Sequence, residues 1–319
     1  MKKKVLLISH KYYDYHNVIK KGIERLGCDC DGYCFAHGFF YRLFNFIPCF
    51  GMFATKIREN HFRRHILNYS NPYDAVIVIK GSALSAENHE MLRRLNPSAK
   101  FSLYVWDDVA QDKSELAIRH YYDKVFSYSP LDSDKYGMVY RPMFYDDTIG
   151  DTVVEKDIDI FYIATYRKNR LDFIDRIVDN TRPYGLKYKI IIRNSLHRFM
   201  ASLDNVRHWY YFKFRNVPYE DMFAFLKRSK CSVELCPPGQ NALTTRSFEA
   251  LHTKTKIITT NRLIIQSDYY HPDNVLIVDE KNPIIPEAWI RTPFHEIEKS
   301  ISDKYSLETF CRELLTFDC

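Results

Sequence analysis

The sequence predicts an α/β protein of two domains, each a parallel sheet with helices on its faces. Three observations predict it. Short β-branched runs alternate with segments of helical period along most of the chain. A polar stretch at 146–157 (DDTIGDTVVEKD) interrupts that alternation once, as an interdomain linker does. The 319 residues also suit two cores of roughly 150 residues better than one. The expected domains are 1–148 and 149–319, facing a cleft, with the last helix packing back on the first domain.

Each element follows from its pattern. Residues 4–9 form a short apolar strand. In 17–26, Val18, Ile19, Ile23 and Leu26 recur at helical spacing. Residues 73–79 (YDAVIVI) are the near-continuous apolar run of a strand buried on both faces. A helix at 87–95, a strand at 101–105, a helix at 114–120, a strand at 124–128 and a short helix at 131–136 complete the first half. After the linker come a strand at 158–163 and a helix at 170–179, with Leu171, Ile174, Ile177 and Val178 on one face. A strand at 188–192, a helix at 219–227, a strand at 231–235, a helix at 243–252 and strands at 256–259 and 274–278 follow. Residues 307–315 form the last helix.

Composition narrows the class. Hydrophobic residues at 46% and charged residues at 27% describe a globular chain, and only ten glycines argue against a glycine-turn-rich β fold. The net charge of +6 permits an anionic ligand, membrane surface or nucleic acid without choosing among them. The start, MKKKVLLISHKYYDYH, has too short an apolar run for a signal peptide, and no stretch approaches the ~18 apolar residues of a spanning helix. A cytoplasmic protein is expected. None of the eight cysteines forms a CxxC pair, so no metal site is expected and reduced, mostly buried thiols are.

The sharpest constellation is 231–261. A strand runs into Pro237-Pro238-Gly239, then Gln240 and Asn241, then a helix beginning near Leu243. Gly239 permits close backbone approach, and the unpaired N–H groups of the helix start face an anion. Thr244 and Thr245 add hydroxyl donors, and Arg246 adds a guanidinium whose fork suits phosphate. Glu249, one turn on, can accept from both hydroxyls of a ribose. The same residues also fit a common Pro-Gly turn, with Arg246 and Glu249 pairing at i,i+3 on a solvated face.

The stretch PGQNALTTRSFEALHTKTKIITTN resembles the donor-binding segment of GT-B glycosyltransferases. It is most similar to a bacterial CgeB-like or Eps11J-like group found in loci for lipopolysaccharide and capsule synthesis. The matches are Pro238-Gly239-Gln240, Leu243-Thr244, Arg246, Glu249-Ala250-Leu251 and Ile258-Thr259-Thr260-Asn261. Segments 103–109 (LYVWDDV), 123–137, 140–145 (YRPMFY), 161–166 (FYIATY) and 282–290 resemble the group as well. The chain departs at Ala164, Ala242 and His252-Thr253, where the group has glycine or Gly-Ala. The resemblance implies two Rossmann-like domains, a nucleotide-sugar donor held mainly by the second, and a growing lipopolysaccharide or capsule glycan, lipid-linked or not, as acceptor. It also implies that the turn of Thr165, Arg167 and Lys168 faces the donor phosphates, where its cations can neutralise a leaving diphosphate; a solvated helix start fits that turn equally.

Five residues are candidates for the acceptor's proton. His10, Asp14 and His16 follow the first strand, and Asp107 and Asp108 end the strand at 101–105; His or Asp can act as general base. Polar loop histidines and a helix-capping acid fit the same positions. The aromatic run 38–53 and the basic run 56–65 suit an interfacial contact with the inner leaflet, RNA stacking, or a core helix. No DxD triplet of metal-dependent transferases lies at a strand's carboxyl end. Asp157-Ile158-Asp159 has that form but opens a strand.

The expected function is thus metal-independent sugar transfer from a nucleotide-activated donor to a bacterial surface glycan, with no cofactor besides that substrate and no nucleic-acid partner. A non-catalytic nucleotide-sugar or glycan-binding protein of the same fold is the alternative, and a basic RNA-binding protein the third. A nicotinamide oxidoreductase is disfavoured, because the first strand leads into SHKYYDYH and not GxGxxG.

Overall fold

The structure is a computed structural model that describes residues 2–10, 12, 14–35, 51–69, 72–149, 154–195, 199, 208–237, 239–240 and 242–315, with side chains from residue 55 onward in the helix that begins at 51. It divides into two units. The first comprises Met1–Met143 and Ser306–Cys319, the second Phe144–Tyr305. The division falls a few residues before the expected boundary at 148.

The first unit is one parallel sheet. Its strands are β1 (Lys4–His10), β2 (Asp29–Phe35), β3 (Ala75–Ile79), β4 (Lys100–Val105), β5 (Lys124–Ser127) and β6 (Val139–Tyr140), in the order β2-β1-β3-β4-β5-β6. Every residue of β3 is buried, as its unbroken apolar run requires of a strand covered on both faces. Helices α1 (Tyr15–Arg25), α2 (Gly51–Leu67), α3 (Ala86–Leu95), α4 (Ser114–Ile118) and α5 (Pro130–Tyr136) connect the strands. Ser129 caps α5 by accepting from the Asp132 N–H at 3.2 Å, and Gly137 ends that helix in the left-handed region.

In α2, Phe62 and Ile66 are wholly buried in the first unit's core, while Lys56, Ile57, Arg64 and Leu67 are exposed. The described part of the 38–65 segment is therefore a core helix with a basic outer face; its residues 38–50 lie outside the described residues. Among the described residues no helix is long and apolar enough to cross a membrane.

The second unit repeats the plan. Its strands are β7 (Ile158–Thr165), β8 (Tyr188–Arg193), β9 (Phe212–Lys213), β10 (Ser229–Glu234), β11 (Lys256–Thr259) and β12 (Val275–Ile277), all parallel, in the order β12-β11-β10-β7-β8-β9. Helices α6 (Lys168–Thr181), α7 (Tyr219–Lys227), α8 (Thr245–His252), α9 (Glu287–Arg291) and α10 (Lys299–Asp303) belong to it. Its core includes Ile160, Ile174, Ile177, Ile192, Val233 and Ile258.

The last helix, α11 (Leu307–Leu315), belongs to the first unit. Its buried residues Leu307, Phe310, Cys311 and Leu314 form one helical stripe. The Phe310 ring meets Tyr104 of β4 edge-on at 4.9 Å, and Glu313 pairs with Arg141 at 3.2 Å.

Cysteine chemistry differs in one place from the expected reduced state. Cys28 is disulfide-bonded, while Cys30, Cys34, Cys231, Cys236 and Cys311 form no disulfide.

Candidate functional site

Ligands in open α/β sheets bind beyond the carboxyl ends of the strands, where the strand order reverses and adjacent loops part to opposite faces. In the second unit that point lies between β7 and β10. The chain runs from β7 outward to β8 and β9, then returns to place β10 on the other side of β7. The turn after β7 and the loop after β10 therefore open at one crevice. These are the segments carrying Thr165, Arg167 and Lys168, and Gly239 to Arg246.

Both segments end in a helix start. Arg167 is the N-cap of α6 and Thr244 the N-cap of α8, and neither side chain caps its helix. Two sets of helix-start N–H groups, with the positive ends of two helix dipoles, thus follow adjacent strands. Thr165, Arg167 and Lys168 are exposed, Lys168 pairing with Asp172 at 3.2 Å. Gly239 is exposed at φ 80°, a conformation that a side chain would strain.

An acid that sequence reading missed explains why Thr244 does not cap α8. Glu234, the last residue of β10, accepts hydrogen bonds from the Thr244 hydroxyl and, at 2.7 Å, from Ser247 Oγ. Burial pushes its pKa up; the two hydroxyls and the Arg246 charge oppose that rise. The signal was a lone acid in the run CSVEL, where alternation suggests an outward side chain, yet every residue of Cys231–Leu235 is buried.

The loop between β10 and α8 is braced from within. Gln240 Nε2 and Asn261 Nδ2 both donate to the Ala242 carbonyl, at 2.9 and 3.1 Å, and Cys236 N donates to Thr260 Oγ1 at 3.0 Å. The Thr260-Asn261 pair thus shapes the loop, and Gln240 faces inward. Leu243 is half-buried, and Asn241 lies outside the described residues.

Arg246 and Glu249 do pair at i,i+3, at 3.0 Å, but not on a solvated face. Glu249 is wholly buried and also accepts from Tyr219 OH at 3.0 Å, while Arg246 keeps 18% of its side-chain surface. Thr245, beside them, is buried. The pair fixes the first turn of α8 from below. Tyr219 was not legible as a partner, because it comes from α7.

The first unit has its own switch point, between β1 and β3, and a cavity of about 300 Å³ lies there. His10, His16 and Asp107 line it, with Tyr15, Lys80 and Trp106, which sequence reading missed. His10 is the last residue of β1, not a loop residue, and packs against Phe35. Lys80 adopts a left-handed conformation (φ 60°) directly after β3 and forms an ion pair with Asp107. A non-glycine residue held there costs roughly 1–3 kcal/mol, a pattern that clusters at functional sites.

Two of the five proton-acceptor candidates are placed elsewhere. Asp14 is exposed, accepts from Asn17 Nδ2 at 2.7 Å and does not line the cavity. Asp108 is buried and accepts from Tyr128 OH at 3.0 Å. His16 does line the cavity but is held by its surroundings. Its Nδ1 lies 2.7 Å from Ser9 Oγ, and burial first, then the Lys20 charge, lowers its pKa below 6.5, against a smaller opposing pull from Asp14.

A Cβ on Gly32 of β2 would lie 2.7 Å from His16 Nε2. Gly32→Ala should therefore destabilise the fold by about 1–3 kcal/mol through overpacking. His16→Ala should recover most of that loss in the double variant. Urea unfolding midpoints of the two single variants and the double variant check this coupling.

One further group could approach a metal. His271, Asp273 and His295 bring ligand atoms within 4.8 Å of one another, at the amino end of β12 and so at the opposite sheet edge from the crevice. The imidazoles stack face to face at 3.6 Å and 2°, so an ion in the plane of one ring lies well out of the plane of the other. The Asp157 and Asp159 carboxylates are engaged by Arg228 and Lys230, also at the amino end of a strand.

No family model and no curated protein matches the chain. Solved structures do. AviGT4, a glycosyltransferase involved in avilamycin A biosynthesis, superimposes with a TM-score of 0.59 at 12% identity, covering 98% of this chain and 98% of that one. An α-glucosyltransferase in complex with UDP and DNA gives 0.58 at 12%, covering 99% and 92%. A Listeria monocytogenes protein assigned as a UDP-N-acetylglucosamine 2-epimerase gives 0.57 at 12%, covering 99% and 95%. These likenesses establish the fold: two Rossmann-like α/β units, the architecture of GT-B glycosyltransferases.

Proposed function

We propose that the protein is a glycosyltransferase that moves a sugar from a nucleotide-activated donor to a growing bacterial surface glycan, of lipopolysaccharide or capsule. Two helix starts, uncapped by Arg167 and Thr244 and following the adjacent strands β7 and β10, support this above all. A diphosphate matches that pair of positive helix ends. Thr165, Arg167 and Lys168 meet it from one side. The Gly239 backbone and the backbone N–H groups of Thr244 and Thr245 meet it from the other, the Thr244 hydroxyl being held by Glu234. Glu249, wholly buried against Arg246 and Tyr219, supports the first turn of α8 beneath the diphosphate rather than meeting the ribose hydroxyls itself.

The chemistry follows from charge. The acceptor hydroxyl loses its proton, its oxygen bonds to the anomeric carbon, and the bond from that carbon to the phosphate oxygen breaks. Negative charge grows on the departing diphosphate, where helix ends and Arg167 stabilise it. His10, beside Asp107 and Lys80, takes the proton in this account. The acceptor class rests on the resemblance of 231–261 and 103–145 to the surface-glycan group. The exposed Lys56, Ile57, Arg64 and Leu67 of α2 support contact with the inner leaflet, and hence action on the cytoplasmic side.

The epimerase of the same fold gives a second reading, and one assay separates the two. The protein is incubated with UDP-, GDP-, CMP- and dTDP-sugars and a lipopolysaccharide or capsule extract, and products are weighed by mass spectrometry. Transfer predicts free nucleotide and an acceptor heavier by one sugar. A C2-epimerised donor with an unchanged acceptor supports the epimerase instead, and binding without turnover the non-catalytic alternative.

A further inference from the structure

At the amino ends of β7 and β11, across the sheet from the donor crevice, the second unit holds a cavity of about 430 Å³. That volume suits a small molecule. Its walls are aromatic. Tyr145 stacks on His252 at 4.0 Å and 10°, and Phe248, Tyr269 and Tyr305 pack on one another at 4.9 to 5.5 Å. Its polar lining is cationic, with four lysines against the carboxylates of Glu296 and Asp303.

Two of those lysines are unusual. Lys156 Nζ donates to the carbonyls of Ser229 and Thr253 and to Thr255 Oγ1, at 2.8 to 3.0 Å; among the described residues no carboxylate pairs with it. Burial pulls its pKa down to about 8, so its charge is poorly compensated. Lys254 takes a left-handed conformation (φ 52°) just beyond the Thr253 cap of α8, where glycine is the usual residue. A lysine there works against its backbone preference and brings an ammonium to the cavity rim. Its present partner, Glu296 at 2.7 Å, is exposed, so the pair is cheaply exchanged for another anion.

We propose that this cavity is a second small-molecule site, for an anion with a flat apolar body. The aromatic walls take the body, Lys254 and Lys299 take the charge, and Lys156, whose three donors are already engaged, adds only its positive field. The site is separate from the donor crevice, and nothing in it depends on sugar transfer.

Anilinonaphthalene sulfonate, a planar aromatic anion, is the probe, and its neutral counterpart N-phenylnaphthylamine is the control. Fluorescence titration of the full chain should show saturable binding at one sulfonate per chain and much weaker binding of the neutral dye. Lys254→Gly relieves the backbone and so folds at least as stably, yet should weaken sulfonate binding roughly threefold to tenfold, as should the exposed Lys299→Glu. Saturating UDP should displace none of the dye. Unsaturable binding, equal affinity for the neutral dye, wild-type affinity in both variants, or displacement by UDP would each overturn the proposal.

Discussion

Glu249→Ala should lower the stability of the protein by about 3–5 kcal/mol, the cost of breaking a buried ion pair from one side. Glu249 has no solvent exposure, and its carboxylate pairs directly with Arg246, whose charge also acts on Glu234. Removing it leaves a guanidinium with little access to water and strips Tyr219 OH of its acceptor. Loss on this scale is a large fraction of a typical folding free energy. Glu249→Gln keeps an acceptor for Tyr219 and loses only the charge, so it should cost less than the alanine variant. Urea unfolding of both variants measures the difference. If the alanine variant unfolds at the wild-type midpoint, the pair does not hold α8 in place, and the donor crevice lacks the rigid floor ascribed to it.

His10→Ala should reduce the turnover of sugar transfer by about 10²- to 10⁴-fold, the usual contribution of a positioned general base. His10 ends β1 at the first unit's switch point, where Lys80 is held in a left-handed conformation and paired with Asp107. Nucleotide binding, which the account places wholly in the second unit, should be unchanged. That separation distinguishes a lost base from a damaged fold. Equal losses of turnover and nucleotide affinity would mean that His10 acts through the structure. An unchanged turnover would move the proton to Asp107 or to the donor itself.

The sequence was most legible where burial leaves a one-dimensional trace. Strands such as Ala75–Ile79 are covered on both faces and read as unbroken apolar runs, so the alternation of strands and helices could be followed along the chain. The strand Asp29–Phe35 was missed for the converse reason. DCDGYCF is an edge strand with a single neighbour among the described residues, tolerates aspartates and glycine, and reads as a turn. The last helix announced itself by its apolar stripe.

At the candidate site, helix starts and their flanking glycine were legible because they depend on local sequence. The partners were not. Glu234 reaches Thr244 and Ser247 from the end of a strand, and Tyr219 reaches Glu249 from another helix. Arg246 and Glu249 illustrate the limit. Their spacing predicts a pair, yet only the packing of α7 and α8 decides whether it lies in water or in the core. Lys80 carried no signal at all, since a left-handed lysine has no mark in sequence.

Thermal unfolding in the presence of UDP-, GDP-, CMP- and dTDP-sugars shows whether a nucleoside diphosphate binds where β7 and β10 end. A ligand at a hundredfold excess over its dissociation constant stabilises the folded state by about 2.7 kcal/mol, so one nucleotide class should raise Tm by several degrees. The shift should be largely lost in the Arg167→Ala/Lys168→Ala double variant, whose exposed side chains leave the fold untouched. If no nucleotide sugar moves Tm at millimolar concentration, or if the shift survives intact in the double variant, the donor does not bind at this crevice.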